Sequence, residues 1–459
     1  MATDSELAYM SAVGLAARFG RGELSPVEVL RALSERADEH QGLNALVAAD
    51  ARRNHLEAQE AVRRYREGRA RPLEGIPVIV KDLIDTEGLR TSYGSRMFSG
   101  HVPPRDAAVV ERVRAAGGIV VAKSATHEFA WGITTDGSAV GPTRNPWDPT
   151  VVPGGSSGGS AAALAAGLAP LAIGTDTAGS IRIPAAFCGV MGLKPTFGLI
   201  DTTGVFPLAP SLDQVGPMAR TVEDLRLLLS VLAPDGAQAP DPAADAEVVV
   251  GIWSELEQAE SAPDIAHVFH ETVRALENAG VRVVRLSAPG LPPLYPALGT
   301  TVAVEGAAGH RGAGLWPARR SEYGGQVRAR LEKASRVTVE QYARTQRDRA
   351  LITAMTARVL HDVDIVLSPV SGVSPARIGH DEVPGAPQAL SFRERVMAFT
   401  ALQSLTGVPT CVVRAGFDSE GLPVGVQLTA SWGREHTLLA TAQRLVETTS
   451  ELQHSWPTA

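Results

Sequence analysis

The sequence predicts an α/β fold in which a central β-sheet is covered by helices. Three observations carry this. Strand and helix patterns alternate over residues 75–151, and they alternate again after residue 247. A chain of 459 residues that is 44% hydrophobic and 20% charged also has enough apolar material to cover a sheet.

The elements follow in order. Residues 1–70 read as helices. Ser25-Pro26-Val27-Glu28 is a helix start, with Ser25 as cap, Pro26 at the first position and Glu28 placed for a capping box. Val27, Leu30, Leu33 and Ala37 then recur at helical spacing. Residues 52–66 form a charged amphipathic helix whose arginines (Arg52, Arg53, Arg63, Arg64, Arg66) read as a solvated face. A strand over 76–81, a helix over 107–116 and a strand over 119–123 give βαβ order and predict a largely parallel sheet. Ala-rich 161–166 is a helix suited to close packing, and 171–173 a buried strand. Thr221 caps a helix that runs to 232. Residues 233–246, acidic and rich in Pro and Ala, read as a surface linker inside one domain.

Beyond the linker come a strand (248–253), a helix (263–279) and a strand (281–286). Residues 291–317 are the least regular stretch, with several Pro and Gly, and the place to look for specificity. A long helix (337–360), a strand (364–368), a loop and candidate lid (369–387), two strands (411–414 and 424–428) and a closing amphipathic helix (436–447) complete the chain.

Composition excludes several classes. A net charge of −7 argues against a nucleic-acid surface. Two cysteines, Cys188 and Cys411, are no disulfide framework and suit a reducing cytoplasm. The N-terminus lacks a basic-then-apolar signal pattern, and no run of about 18 apolar residues predicts a membrane span. A cytoplasmic location is the expectation. His267 and His270 sit three apart on a helix without further ligands, and read as surface histidines rather than a metal site.

The densest stretch is 152–185. It holds V-P-G-G-S-S-G-G-S, then a small-residue helix, then I-G-T-D-T-A-G-S-I-R-I-P-A. A phosphate cradle needs Gly-Lys-Ser/Thr at the helix start, and the dinucleotide fingerprint needs G-x-G-x-x-G; neither is present. What remains is a flexible loop, or backbone of unusual dihedrals beside reactive hydroxyls. A serine nucleophile needs a base. Of 43 basic residues only four are lysines: Lys81, Lys123, Lys194 and Lys333. A retained lysine is a candidate for work arginine cannot do, such as losing its proton near neutral pH. Lys81 closes the apolar run Ile76-Pro77-Val78-Ile79-Val80, where desolvation would favour the neutral base. A structural ion pair with Asp82 or another acid is the equal alternative. Lys123 ends the second strand and reads as structural.

These residues carry a resemblance. G-I-P-V-I-V-K-D (75–82), G-G-S-S-G-G-S-A-A-A (154–163), G-T-D-T-A-G-S-I-R-I-P-A (174–185), G-L-K-P-T-F-G (192–198), S-L-D-Q-V-G-P-M-A-R (211–220) and G-L-P-V-G-V-Q-L (421–428) together resemble the amidase signature family of serine amidohydrolases. The resemblance implies that family's fold, a mixed central β-sheet sandwiched between layers of α-helices, as one domain over 1–459. Within it, 75–220 would be the signature core and 247–459 the second half of the sheet and the substrate funnel. It implies a Ser-cisSer-Lys triad: Ser180 as nucleophile, Ser156 as bridging serine after a cis Gly155–Ser156 peptide, and Lys81 as base. Backbone N–H groups of Thr177, Ala178, Gly179 and Ser180 would form the oxyanion hole. The family often reads D-x-G-G-S, and Ala178 departs from it in the first Gly slot.

Other residues keep two readings. The loop His127-Glu128-Phe129-Ala130-Trp131-Gly132 is either a substrate wall, through Phe129 and Trp131, or core. Gly155 is a further candidate for the substrate side. Arg182 either orients Asp176 or anchors an anionic substrate, with the structural role favoured, and Asp213 supports a loop. The expected function is cleavage of the C–N bond of a small amide through an acyl-serine, with no metal, no cofactor and no nucleic-acid or membrane partner; a homodimer is compatible. Two rival readings are the A subunit of a glutamine-dependent aminoacyl-tRNA amidotransferase and an inactive binding protein.

Overall fold

Strand residues divide between two apolar layers, and this division places the site. The computed structural model describes residues 4–234, 248–257, 261–380, 391–449 and 455–457. Eleven strands form one sheet: β1 (Leu46–Ala48), β2 (Pro77–Lys81), β3 (Ile119–Ser124), β4 (Leu171–Asp176), β5 (Met191–Lys194), β6 (Gln214–Ala219), β7 (Val249–Trp253), β8 (Arg282–Leu286), β9 (Ile365–Pro369), β10 (Thr410–Phe417) and β11 (Pro423–Ala430). Their spatial order is β1-β3-β2-β4-β6-β5-β10-β11-β9-β7-β8.

In β2, Val78 and Val80 enter one layer, with helices Pro26–Glu39, Ala108–Ala115, Val222–Leu232 and Glu435–Thr448. Ile79 enters the other, with helices Gly158–Ala165, Arg182–Cys188 and Phe392–Thr406. Because strand side chains alternate in direction, Lys81 shares the face of Ile79 and points toward the serine-bearing helices.

The sheet is mixed, as the resemblance implies, and not largely parallel, as βαβ order alone predicts. Parallel pairs join β3-β2-β4 near one edge and β9-β7-β8 at the other. Between them β4-β6-β5-β10-β11-β9 runs antiparallel throughout. The βαβ units are therefore real but peripheral, and the centre is built by antiparallel neighbours: β6 follows β5, and β11 follows β10, with no helix between them.

Local chemistry explains the helix starts. Ser25 and Glu28 make the full capping box, and Thr221 Oγ1 accepts from Asp224 N at 3.2 Å. The small-residue helix begins at Gly158, three residues before the expected start. Its glycines permit backbone contact: a Cβ on Gly159 would collide with the main chain of Ala125 and Ala45.

Two segments depart from expectation. Residues 291–317, read as irregular, contain a 19-residue helix, Leu294–Gly312. Its glycines include Gly306, where a Cβ would meet the Trp131 ring at 2.9 Å, so close packing retains a residue that propensity alone disfavours. Phe392–Thr406 is a helix with no expected counterpart. The linker at 233–246 lies outside the described residues from 235 onward, and the candidate lid at 369–387 from 381 onward. Among the described residues no helix is long and apolar enough to cross a membrane.

Candidate active site

Lys81 ends β2 with no exposed surface, and its Nζ reaches four oxygens. Ser156 Oγ lies at 2.8 Å, Ser157 Oγ at 2.9 Å, Thr175 Oγ1 at 2.7 Å and the Thr175 carbonyl at 3.5 Å. Burial pulls its pKa from 10.5 to about 7, against the opposing pull of Asp176 and Asp213. Of the two sequence readings, the desolvated amine fits. Asp82 does not pair with it; its carboxylate takes the Ser92 hydroxyl at 2.5 Å and the Ser92 amide.

The Gly155–Ser156 peptide is cis. Ser156 is held by the His127 amide, which donates to its carbonyl at 3.3 Å. The Ser157 amide donates to the Ser180 carbonyl at 3.1 Å, so the two serine loops are stitched together at a residue whose hydroxyl also meets the lysine. Ser180 is 4% exposed, and its hydroxyl makes no hydrogen bond among the described residues. The lysine thus meets the first serine loop, and that loop is bonded to the backbone of Ser180.

Ser180 ends a turn that Asp176 organises. One carboxylate oxygen accepts from Gly179 N at 2.7 Å; the other accepts from Ile181 N at 3.1 Å and Arg182 N at 3.4 Å. Burial works against this charge, but the Arg182 guanidinium outweighs it and holds the carboxyl below its ordinary range. The amides of Thr177, Ala178 and Ser180 make no hydrogen bond among the described residues and are free to receive an acceptor. Gly179 is a correction to the expected donor set, because its N–H is committed to Asp176. Ala178 has no positive φ, so the departure from glycine there costs nothing in backbone geometry, whereas Gly179 sits at φ +113°, where a side chain is strained. Asp213 supports the turn from outside, accepting from Thr177 Oγ1 at 2.6 Å and from the Leu208 and Ala209 amides.

Four further candidates, Phe129, Trp131, Gly155 and Arg182, are buried. Phe129 has no exposed surface and Trp131 only 3%. Both pack in an aromatic cluster with Phe206, His310 and Tyr323, so they are core rather than a substrate wall. Gly155 lies under the 133–135 backbone, where a Cβ would meet Thr134 N at 2.8 Å; it serves close approach, not a substrate surface. Arg182 is wholly buried and spends its guanidinium on Asp176, the Thr400 carbonyl, Gln403 Oε1, Gln427 Oε1 and Ser404 Oγ, which leaves the structural role and removes the anionic anchor. Lys123 is structural as read, bonded to the Ile84 carbonyl and to Thr86 and Thr91 hydroxyls.

Sequence reasoning missed Ser157 and Thr175, the other two hydroxyls on the lysine, and the whole helix that holds Arg182. That helix carries a legible signal: Ser391 and Glu394 form a capping box, and Gly407 ends it in the left-handed conformation.

This fold, with a buried lysine on a serine loop beside a second serine turn, is that of enzymes that hydrolyse carbon–nitrogen bonds. The family described as Amidase matches residues 28–439, and the chain belongs to the amidase signature family. Among curated proteins it is 38% identical to the A subunit of glutamyl-tRNA(Gln) amidotransferase from Thermus thermophilus, over 96% of this chain and 98% of that one. Among solved structures it superposes on an amidase with a TM-score of 0.89 at 32% identity, covering 96% of this chain and 100% of that one. The corresponding amidotransferase protein of Thermotoga maritima superposes at 0.75 with 27% identity, covering 97% and 94%.

Proposed function

We propose that the chain is a self-sufficient amidase that cleaves the C–N bond of a small amide through an acyl-Ser180 intermediate. The observation that carries this is the buried Lys81 amine, close to neutral, bonded to Ser156. A neutral amine has two N–H and one lone pair. Ser157 gives its own proton to the Thr175 carbonyl at 3.1 Å, so toward Lys81 it acts as an acceptor. With one N–H on Ser157 and the other on Thr175 Oγ1, the lone pair faces Ser156.

The reaction then balances. Lys81 takes the Ser156 proton as Ser156 takes that of Ser180. The Ser180 oxygen forms a bond to the amide carbon, and the carbonyl electrons move onto its oxygen, which the unbonded Thr177, Ala178 and Ser180 amides would receive. Each such donor is worth about 10²–10³ in rate in comparable holes. Collapse breaks the C–N bond, and the leaving nitrogen recovers the proton through Ser156. Water repeats the sequence on the ester and frees a carboxylate. The Ser156–Ser180 bond need not be short beforehand, since catalytic hydrogen bonds often tighten only with substrate in place.

A second reading, the A subunit of a glutamine-dependent amidotransferase, is favoured by the 38% identity to the Thermus protein. The closer superposition on the amidase supports the first. Ammonia release by the purified chain alone separates them, from a panel of primary amides, glutamine and carbamoyl compounds with Ser180→Ala as blank. Release from simple amides, lost in the variant, supports the self-sufficient enzyme. Release from glutamine only supports the amidotransferase reading.

A further inference from the structure

The turn that carries Ser180 is gripped from the far end of the chain. Thr400 lies in the Phe392–Thr406 helix with no exposed surface. Its Oγ1 donates to the Ala178 carbonyl at 2.9 Å, across 222 residues of sequence. The other end of the same peptide, Gly179 N–H, donates to Asp176 at 2.7 Å. The Ala178–Gly179 peptide is therefore held by both its oxygen and its nitrogen. Thr400's own carbonyl accepts from Arg182 Nη1 at 3.0 Å, and Arg182 Nε and Nη2 hold the Asp176 carboxylate at 3.0 and 3.1 Å. The bonds close a ring through Asp176, Gly179, Ala178, Thr400 and Arg182.

We propose that Thr400 is a positioning residue for the oxyanion turn: its hydroxyl fixes the plane of the Ala178–Gly179 peptide, and through it the aim of the flanking Ala178 and Ser180 amides. This rests on the reading of Ser180 as nucleophile. A peptide plane turns about its two flanking bonds, and glycine offers the least resistance to that turn. Among the described residues two hydrogen bonds oppose it. Removing the hydroxyl leaves a buried carbonyl without a partner and frees the plane to swing. The swing would re-aim the amides on either side relative to the developing oxyanion. The packing is specific to this pair, because a Cβ on Gly179 would meet Thr400 Oγ1 at 2.7 Å and its Cβ at 2.9 Å.

The test compares wild type, Thr400→Val, Thr400→Ser, Thr400→Ala and Ser180→Ala in their rate of labelling by a fluorophosphonate, whose phosphoryl oxygen uses the same amides. It adds kcat and KM on a primary amide that the wild type hydrolyses, and thermal melting of each variant. The expected result is that Thr400→Val labels about 10- to 100-fold more slowly, with the loss in kcat and KM within about twofold, while Thr400→Ser stays within about threefold of wild type. Wild-type labelling by Thr400→Val, equal loss in Thr400→Ser, or a loss confined to KM overturns the proposal. If Thr400→Val does not fold, the folded Thr400→Ala decides: a slowed rate supports the proposal and an unchanged rate overturns it. An unlabelled wild type overturns the Ser180 reading itself, and so is distinguishable from failure at Thr400 alone.

Discussion

If Lys81 is the base of the proposed amidase, its burial is expected to set the pH at which the enzyme works. With a pKa of about 7 instead of 10.5, the amine is biased against its charged form by roughly 5 kcal/mol. About half of the molecules then carry a neutral base at pH 7, about a tenth at pH 6 and about a hundredth at pH 5; an ordinary lysine would be neutral in only about three of ten thousand at pH 7. The rate of acylation, read by single-turnover amide cleavage or fluorophosphonate labelling, is expected to rise about tenfold per pH unit below 7 and level off above about 8. Lys81→Met should lose both the rate and the break. Stability follows with a definite sign. Between about 7 and 10.5 the unfolded chain holds a proton on Lys81 that the folded chain does not, so stability contributed by this group rises with pH across that window. Lys81→Met should therefore gain less melting temperature between pH 7 and 9 than wild type. A flat acylation profile from pH 6 to 9, or a break that survives in Lys81→Met, would refute the assignment of the base.

Three other outcomes are expected. Ser157→Ala removes one acceptor from the amine and should slow acylation about tenfold with little change in KM, the worth of one hydrogen bond to a polar partner; unaltered kinetics would show that the lone pair needs no such guide. Arg182→Met strands the buried Asp176 carboxylate and should cost about 3–5 kcal/mol in denaturant unfolding. A variant of normal stability that fails only on anionic amides would instead restore Arg182 as a substrate anchor. Phe129→Ala should cost about 3–5 kcal/mol of stability while leaving KM intact; a shifted KM in a stable protein would return Phe129 to the substrate wall.

Where residues carry their own local signal, the sequence was legible. A capping serine with its glutamate, an apolar run ending on a rare lysine, and paired glycines beside serines each announce themselves over a few positions. Lys81 could be singled out because arginine supplies nearly every other positive charge. What failed was anything decided by distant packing. Phe129 and Trp131 sit on a loop and read equally as pocket or core, until a helix 180 residues away closes over them with His310. That same helix escaped notice because its glycines read as breaks, although one is demanded by the Trp131 ring. The Gly179 amide, indistinguishable in sequence from its neighbours, is taken from the donor set by Asp176 three residues earlier. The junction of β5 with β10 at the centre of the sheet left no trace either, since it is made across more than two hundred residues.

The late arrival of β10 and of the Thr400 helix has a consequence in time. A growing chain that has emerged as far as Arg220 already contains Lys81, Ser156 and Ser180. It has not yet made β10, the second of the two strands that flank β5, nor the helix whose hydroxyl and carbonyl complete the ring around the turn. Domains built on such long-range pairing assemble slowly and only as a whole. The chemical groups are thus synthesised early and armed late, so a nascent or truncated chain would hold a full set of reactive side chains without the geometry that makes them a hydrolase.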